Sequence, residues 1–209
     1  MSSMSWITAR LVFLFALALL SWGVSDRSQA LADDPSKAIG PRAEYFPKVT
    51  LRTQDDKKVQ FYDDLIKGKM VVINFMYTRC DGKLCGEGTT DLVKLQNALG
   101  DHFDREVFMY SITLDPEHDT PEVLKDYAKK YGARWTFLTG KAEDITELRR
   151  KLGLFNSDPK VDADLKKHTG MIRIGNETLN KWTTASVLSS PDRILQMIER
   201  MKPPTPPEK

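Results

Sequence analysis

Apolar runs of strand length alternate along the chain with stretches of helical periodicity. The run Met70-Val71-Val72-Ile73-Asn74-Phe75-Met76 is continuously apolar but for one residue, as expected of a strand buried on both faces. A second run, Val107 to Leu114, stops at Asp115-Pro116, and Trp135 to Leu138 reads as a third strand. Between these, Leu92, Leu95 and Leu99 fall at i, i+3 and i+7 and predict a helix with one apolar face, capped by Thr89 or Thr90. Thr120-Pro121-Glu122 starts a helix carrying Val123, Leu124, Tyr127 and Tyr131. A further helix covers Asp144 to Leu152, with Ile145, Leu148 and Leu152 inward, and Gly153 stops it. Strands 169–174 and 177–183 are expected on either side of Gly175-Asn176, a dipeptide suited to a tight hairpin. Ser190-Pro191 opens a last amphipathic helix with Ile194, Met197, Ile198 and Met201.

Upstream, Val49 to Arg52 and Lys58 to Phe61 read as an N-terminal β-hairpin, and Tyr62 to Ile66 as one helical turn. Alternating strands and helices with a final antiparallel pair predict an α/β fold: a thioredoxin-like mixed sheet flanked by helices, with the hairpin as an addition. Met70, Met76, Met109, Met171 and Met197 fit the apolar periodicity and are expected to fill the core.

The ends set the compartment. Arg10 precedes the apolar stretch Leu11 to Val24, which at 14 residues is short of the roughly 20 a spanning helix needs. Ala30-Leu31-Ala32 fits a signal-peptidase site, so residues 1–32 read as a cleaved secretory signal, with an uncleaved anchor as the rival. Membrane association is expected only in that second case, since no cysteine follows the apolar run to take a lipid. Residues 33–46 read as a flexible leader, 47–202 as the domain, and the proline-rich 203–209 as a disordered tail. The expected location is the periplasm or another extracytoplasmic space. Net charge is +2 with acids and bases interspersed, so nucleic-acid binding has no basic stripe to support it.

The chain has only two cysteines, and both lie in the loop Tyr77-Thr78-Arg79-Cys80-Asp81-Gly82-Lys83-Leu84-Cys85-Gly86 directly after the first central strand. There the sheet's carboxyl edge would present them, where open α/β folds place reactive or ligand-binding groups. As a plain disulfide the pair closes a loop too short to remove much unfolded-state entropy, which makes it a poor staple. As a redox pair, a helix N-terminus beside it would favour the thiolate. As a metal site, two thiolates and one imidazole suit Cu(I), which prefers soft sulfur and low coordination.

Three histidines compete for the third position. His102 lies between a helix and a strand and is expected on the surface; His118, in the polar turn Asp115-Pro116-Glu117-His118-Asp119, is expected to face solvent. His168 stands at the start of the terminal strand pair, beside the dithiol loop in a thioredoxin-like fold, and is the expected ligand.

The segments Tyr45-Phe46-Pro47, Phe61-Tyr62-Asp63-Asp64-Leu65, Val72 through Cys80, Ser111 through Glu122 and Phe137-Leu138-Thr139-Gly140 closely resemble the Sco/SenC family over about residues 44–202. The resemblance implies a thioredoxin-like extracytoplasmic protein that binds copper through Cys80, Cys85 and His168. It also implies a role in metallating the copper centre of cytochrome c oxidase, so that the partner would be an apo copper protein such as an oxidase subunit. Copper as Cu(I), and also Cu(II), is the implied cofactor. Asp115 and Asp119 are implied to organise the metal loop from behind the ligands. The family usually separates its cysteines by three residues and follows the second with proline; here four residues intervene and Gly86 follows. Lys166 and Lys167 precede His168 where the family tends to have aspartate. Two other readings stand beside the chaperone: a thiol-disulfide oxidoreductase that keeps the target's copper-site cysteines reduced, with Cys80 and Cys85 as its catalytic pair, and a redox sensor.

Overall fold

Seven strands form one sheet in the order β2-β1-β5-β4-β3-β6-β7. In this computed structural model the described residues are 44–80 and 83–203, with backbone alone for 83–85. The expected signal, most of the leader and all but the first residue of the proline-rich tail lie outside them. The strands are β1 (Thr50–Thr53), β2 (Lys58–Gln60), β3 (Met70–Met76), β4 (Val107–Thr113), β5 (Thr136–Thr139), β6 (Met171–Asn176) and β7 (Lys181–Ser186). The helices are α1 (Lys83–Leu99), α2 (Pro121–Tyr131), α3 (Ala142–Lys151), α4 (Pro159–Asp162) and α5 (Pro191–Met201). One π-helical turn covers Phe61–Ile66, and a 3-10 turn covers Leu165–Lys167.

β3 is buried along its whole length, and its pleat divides the core. Met70, Val72 and Met76 face Leu92, Leu95 and Leu99 of α1, Leu124 and Tyr127 of α2, and Ile194 and Ile198 of α5. Val71, Ile73 and Phe75 face the opposite layer, made by Ile145 and Leu148 of α3 and by Phe61, Leu65 and Ile66 of the π turn. Each fully buried side chain of this size contributes about 1.5–3 kcal/mol over leaving it in water, so both layers hold the strand. The polar exception, Asn74, is satisfied: Ser111 Oγ donates to its Oδ1 at 2.6 Å, and Trp135 Nε1 donates to Ser111 Oγ at 2.8 Å.

β3, β4 and β5 run parallel, with β6 and β7 added antiparallel beside β3. The N-terminal hairpin is added at one edge of the sheet. β1 pairs antiparallel with β5, so the hairpin extends the same sheet. The folded region also reaches into the expected leader, since Phe46 is buried and the Tyr45 hydroxyl donates to the Lys151 carbonyl at 2.7 Å.

Two local expectations are corrected. The helix after the cysteine loop starts at Lys83, so Thr89 and Thr90 lie inside it and cap nothing. Thr90 instead donates to the Gly86 carbonyl one turn back, and Thr89 Oγ1 bonds the buried Tyr127 hydroxyl at 2.8 Å. The terminal pair turns through Glu177–Asn180, not at Gly175-Asn176, which belong to β6. Gly175 serves packing: a Cβ there would sit 2.1 Å from Trp182 Cε3. The α2 start follows its sequence signal, with Thr120 capping and Pro121 in the first turn.

Candidate metal centre

The carboxyl ends of β3 and β4 lie side by side, and the loops leaving them are laced together. Leu114 N donates to Met76 O at 2.7 Å. Beyond that point Asp119, with no solvent exposure, gathers the loop that carries Cys80. Its Oδ2 accepts from Thr78 N at 3.0 Å and from Thr113 Oγ1 at 2.5 Å. Its Oδ1 accepts from Thr78 Oγ1 and from His118 Nδ1, the latter at 2.8 Å. Asp115, nearly buried, accepts from Arg79 Nε at 3.2 Å and Nη2 at 2.6 Å. That hydrogen bond raises the Arg79 guanidinium's pKa above its ordinary value. Two carboxylates thus grip the two residues before Cys80.

The other end of the cysteine loop is the first turn of α1. Cys85 is the third residue of that helix, in the turn where backbone N–H groups align. A Cβ at Gly86 would lie 3.7 Å from the Tyr131 hydroxyl, an ordinary contact, so no crowding demands glycine there. Gly88 differs, because a Cβ would come within 2.9 Å of Val187 Cγ1. Cys80 is not a free thiol.

His168 follows the 3-10 turn and is half-buried. Its Nδ1 donates to the Leu165 carbonyl at 2.9 Å, which leaves Nε2 as the lone-pair nitrogen of the neutral ring. The ring meets Tyr77 edge to face, with centroids 5.6 Å apart. It also borders a small cavity shared with Asn74, Gly88, Thr89 and Val187. Tyr77 lies three residues before Cys80 and Gly88 three after Cys85, so the residues flanking the dithiol on both sides converge on His168. An imidazole whose Nδ1 is anchored on a carbonyl presents Nε2 as the nitrogen that could bind a soft cation.

His102 is on the surface, paired with Glu106 at 2.9 Å. His118 is not the solvated turn residue its neighbours suggest. Only about a third of its side chain is exposed, and its ring touches both Asp119 and Thr78. One ligand atom from each of Asp115, His118 and Asp119 lies within 4.8 Å of the others, but Arg79 engages Asp115 Oδ2, and Thr78, Thr113 and His118 engage both oxygens of Asp119. Sequence reasoning expected His118 in solvent and missed Arg79; the available signal was that both adjoin residues already singled out.

Comparison with known proteins now decides the family, because the SCO1/SenC description matches residues 41–202. The chain belongs to the SCO1/SenC family. It is 29% identical over 145 residues to the SCO1 protein homolog of Bacillus subtilis, covering 68% of this chain and 65% of that one. The chain therefore spans about two thirds of the length of that relative. The copper-bound structure of ScoI from Bradyrhizobium japonicum superposes with a TM-score of 0.60 at 24% identity, over 79% of this chain and all of that one. The structure of BsSco, a member of the Sco family of cytochrome c oxidase assembly proteins in which a disulfide switch was identified, gives 0.59 at 24%, over 73% and 90%. These likenesses establish the thioredoxin-like fold of the family. Among the described residues no helix is long and apolar enough to cross a membrane.

Proposed function

We propose that this SCO1/SenC member is an extracytoplasmic copper chaperone that binds one copper through Cys80, Cys85 and His168 and passes it to an apo copper protein such as a cytochrome c oxidase subunit. The observation that carries the reading is the convergence of Tyr77, Gly88 and Thr89 on His168, whose Nδ1 is committed to the Leu165 carbonyl. Copper supplies no chemistry of its own to the fold; it is cargo, and two thiolates with one imidazole retain Cu(I) while leaving coordination positions open for a receiving ligand. The relatives' copper-bound and assembly-related descriptions support the cargo and the destination. The exported location rests on the apolar leader and its Ala30-Leu31-Ala32 segment.

Asp119 and Asp115 hold Thr78 and Arg79 so that the Cys80 backbone leaves the sheet in one direction. The cysteine pair also allows a second use, favoured by the position of Cys85 in the first turn of α1. One thiolate attacks a target disulfide, the other resolves the mixed disulfide, and the target leaves as a dithiol while Cys80 and Cys85 are joined. In the chaperone reading the same exchange, with the target disulfide taking up the two electrons, would join Cys80 to Cys85 and leave no thiolates to hold Cu(I).

An anaerobic Cu(I) titration of the reduced protein against a competing chelator separates the two. Binding of one copper that Cys80→Ser, Cys85→Ser and His168→Ala each weaken is the expected result. Copper binding untouched by His168→Ala, with disulfide exchange intact, would replace the chaperone by the oxidoreductase.

A further inference from the structure

Between α3 and β6 the chain makes a detour, residues 155–169, in which no residue is fully buried. Neither α4 nor the 3-10 turn has a buried residue. Beneath part of this arm lies a cavity of about 160 Å³, bordered by Leu114, Pro116, Thr146 and Arg149 from the body and by Asp162 and Leu165 from the arm. Apolar packing therefore does little to fix the arm's place.

Arg149 reaches it instead. This is the buried member of the run Arg149-Arg150-Lys151 on α3. Its Nη2 donates to Asp162 Oδ2 at 2.6 Å, and both terminal nitrogens lie 3.3 Å from the Asp162 carbonyl. The two side chains are only 11% and 10% exposed, so solvent screens the pair weakly. Asp162 Oδ1 also accepts from Asn156 N at 2.8 Å, which ties the start of the arm to its middle. Among the described residues, every hydrogen bond and ion pair from the body into residues 155–167 comes from Arg149.

From Asp162 the connection runs on to the imidazole. Asp164 accepts from Lys166 N at 3.1 Å and caps the 3-10 turn, and that turn supplies the Leu165 carbonyl to which His168 Nδ1 donates. We infer that Arg149 and Asp162 are positioning residues for His168: their ion pair holds the arm so that the ring keeps its Nδ1–H tautomer and its contact with Tyr77. The inference rests on the reading of His168 as a ligand, and gives that ligand a support from α3. An ordinary helix-to-loop ion pair would affect stability alone; a positioning pair also changes the ring.

The test uses the full chain with ¹⁵N-labelled histidine, whose three rings are told apart by single substitutions. Above the imidazole titration range, Asp162→Ala should move the His168 ring nitrogens from the Nδ1–H pattern toward the mixture of a free imidazole, leaving His102 and His118 unchanged. Cu(I) affinity, measured by chelator competition, should fall about tenfold, as supports of metal-binding histidines commonly produce. Asp162→Ala combined with His168→Ala should bind no more weakly than His168→Ala alone. Arg149→Lys, which keeps the charge, should give the same changes to a smaller extent. If Asp162→Ala does not fold, Asp162→Asn keeps an acceptor for Asn156 and carries the same readouts. An unchanged His168 spectrum, or losses that simply add in the double variant, would overturn the inference. A shifted His168 spectrum with copper binding indifferent to His168→Ala would overturn the ligand reading alone.

Discussion

The loop that carries Cys80 and the arm that carries His168 both lie against Tyr77, yet they are held by different means. The loop leaves a fully buried strand and is bound at once by the carboxylates of Asp119 and Asp115, one of them sealed from solvent. The arm has no buried residue between 155 and 169, a cavity beneath it, and one ion pair from α3. One half of the candidate site is therefore part of the core, while the other is attached to it. In the proposed copper site that asymmetry would keep the sulfur side in place and let the nitrogen side leave at low cost.

The largest expected effect breaks the rigid half. Asp119→Ala removes one acceptor from Thr78 N, Thr78 Oγ1, Thr113 Oγ1 and His118 Nδ1 together. With hydrogen bonds to a charged group contributing about 1.5–3 kcal/mol each, a loss of roughly 3 kcal/mol or more is expected in urea unfolding, together with loss of tight copper binding. A loss below about 1 kcal/mol would mean that the loop is held no better than the arm, and the contrast would collapse.

This division was only half legible in the sequence. The continuous apolar run 70–76 and the cysteines directly after it located the rigid half, because burial on both faces leaves a strong local pattern. His168 was singled out from its place before the last strand pair. Arg149 was not, since within Arg149-Arg150-Lys151 nothing local tells which cation turns inward. His118 was misplaced for a similar reason: a polar turn looks solvated until Thr78, 40 residues away, closes over it. Gly175-Asn176 carried a turn signal of the right composition, yet the close approach of Trp182 is what requires Gly175. The start of α1 was hidden by Gly86 and Gly88, poor helix formers that the tertiary fold overrides. Local chemistry was readable; long-range partners were not.

A second, smaller effect sharpens the contrast at the seam where the halves meet. Gly88 of α1 and Val187 border the cavity beside His168, and Ala at position 88 would place its Cβ 2.9 Å from Val187 Cγ1 and 3.0 Å from Cγ2. The first contact is too short to persist and the second is tight, so α1, the Val187 side chain or the segment after β7 must shift. Gly88→Ala is expected to cost about 1–3 kcal/mol in unfolding free energy, the usual range for overpacking. It should also displace the His168 ring resonances while leaving those of His118 in place. Movement of His118 instead would show that the first turns of α1 yield toward the Asp119 network, and that the seam belongs to the rigid half.

The smallest effect concerns the footing of α1 on α2. Tyr127 is buried under that helix and bonds Thr89 at 2.8 Å. Burial raises its phenol pKa to about 12, against about 10 for an ordinary tyrosine. The folded protein thus keeps this proton to higher pH than the unfolded chain does. The stability it contributes is fully present below pH 10 and is lost as pH rises through about 12, with a slope of at most about 1.4 kcal/mol per pH unit from this group. Tyr110 is shifted in the same direction by burial and adds to the decline. Tyr127→Phe removes one of the two contributions along with the Thr89 hydrogen bond, which costs about 1 kcal/mol near neutral pH. The variant should therefore start less stable and fall less steeply between pH 10 and 12, so that its denaturant midpoints converge on those of the unaltered protein. Parallel declines would mean that Tyr127 ionises without resistance in the folded state. In that case α1 would be seated by its leucines alone, and the footing of the cysteine-bearing helix would be as yielding as that of the arm.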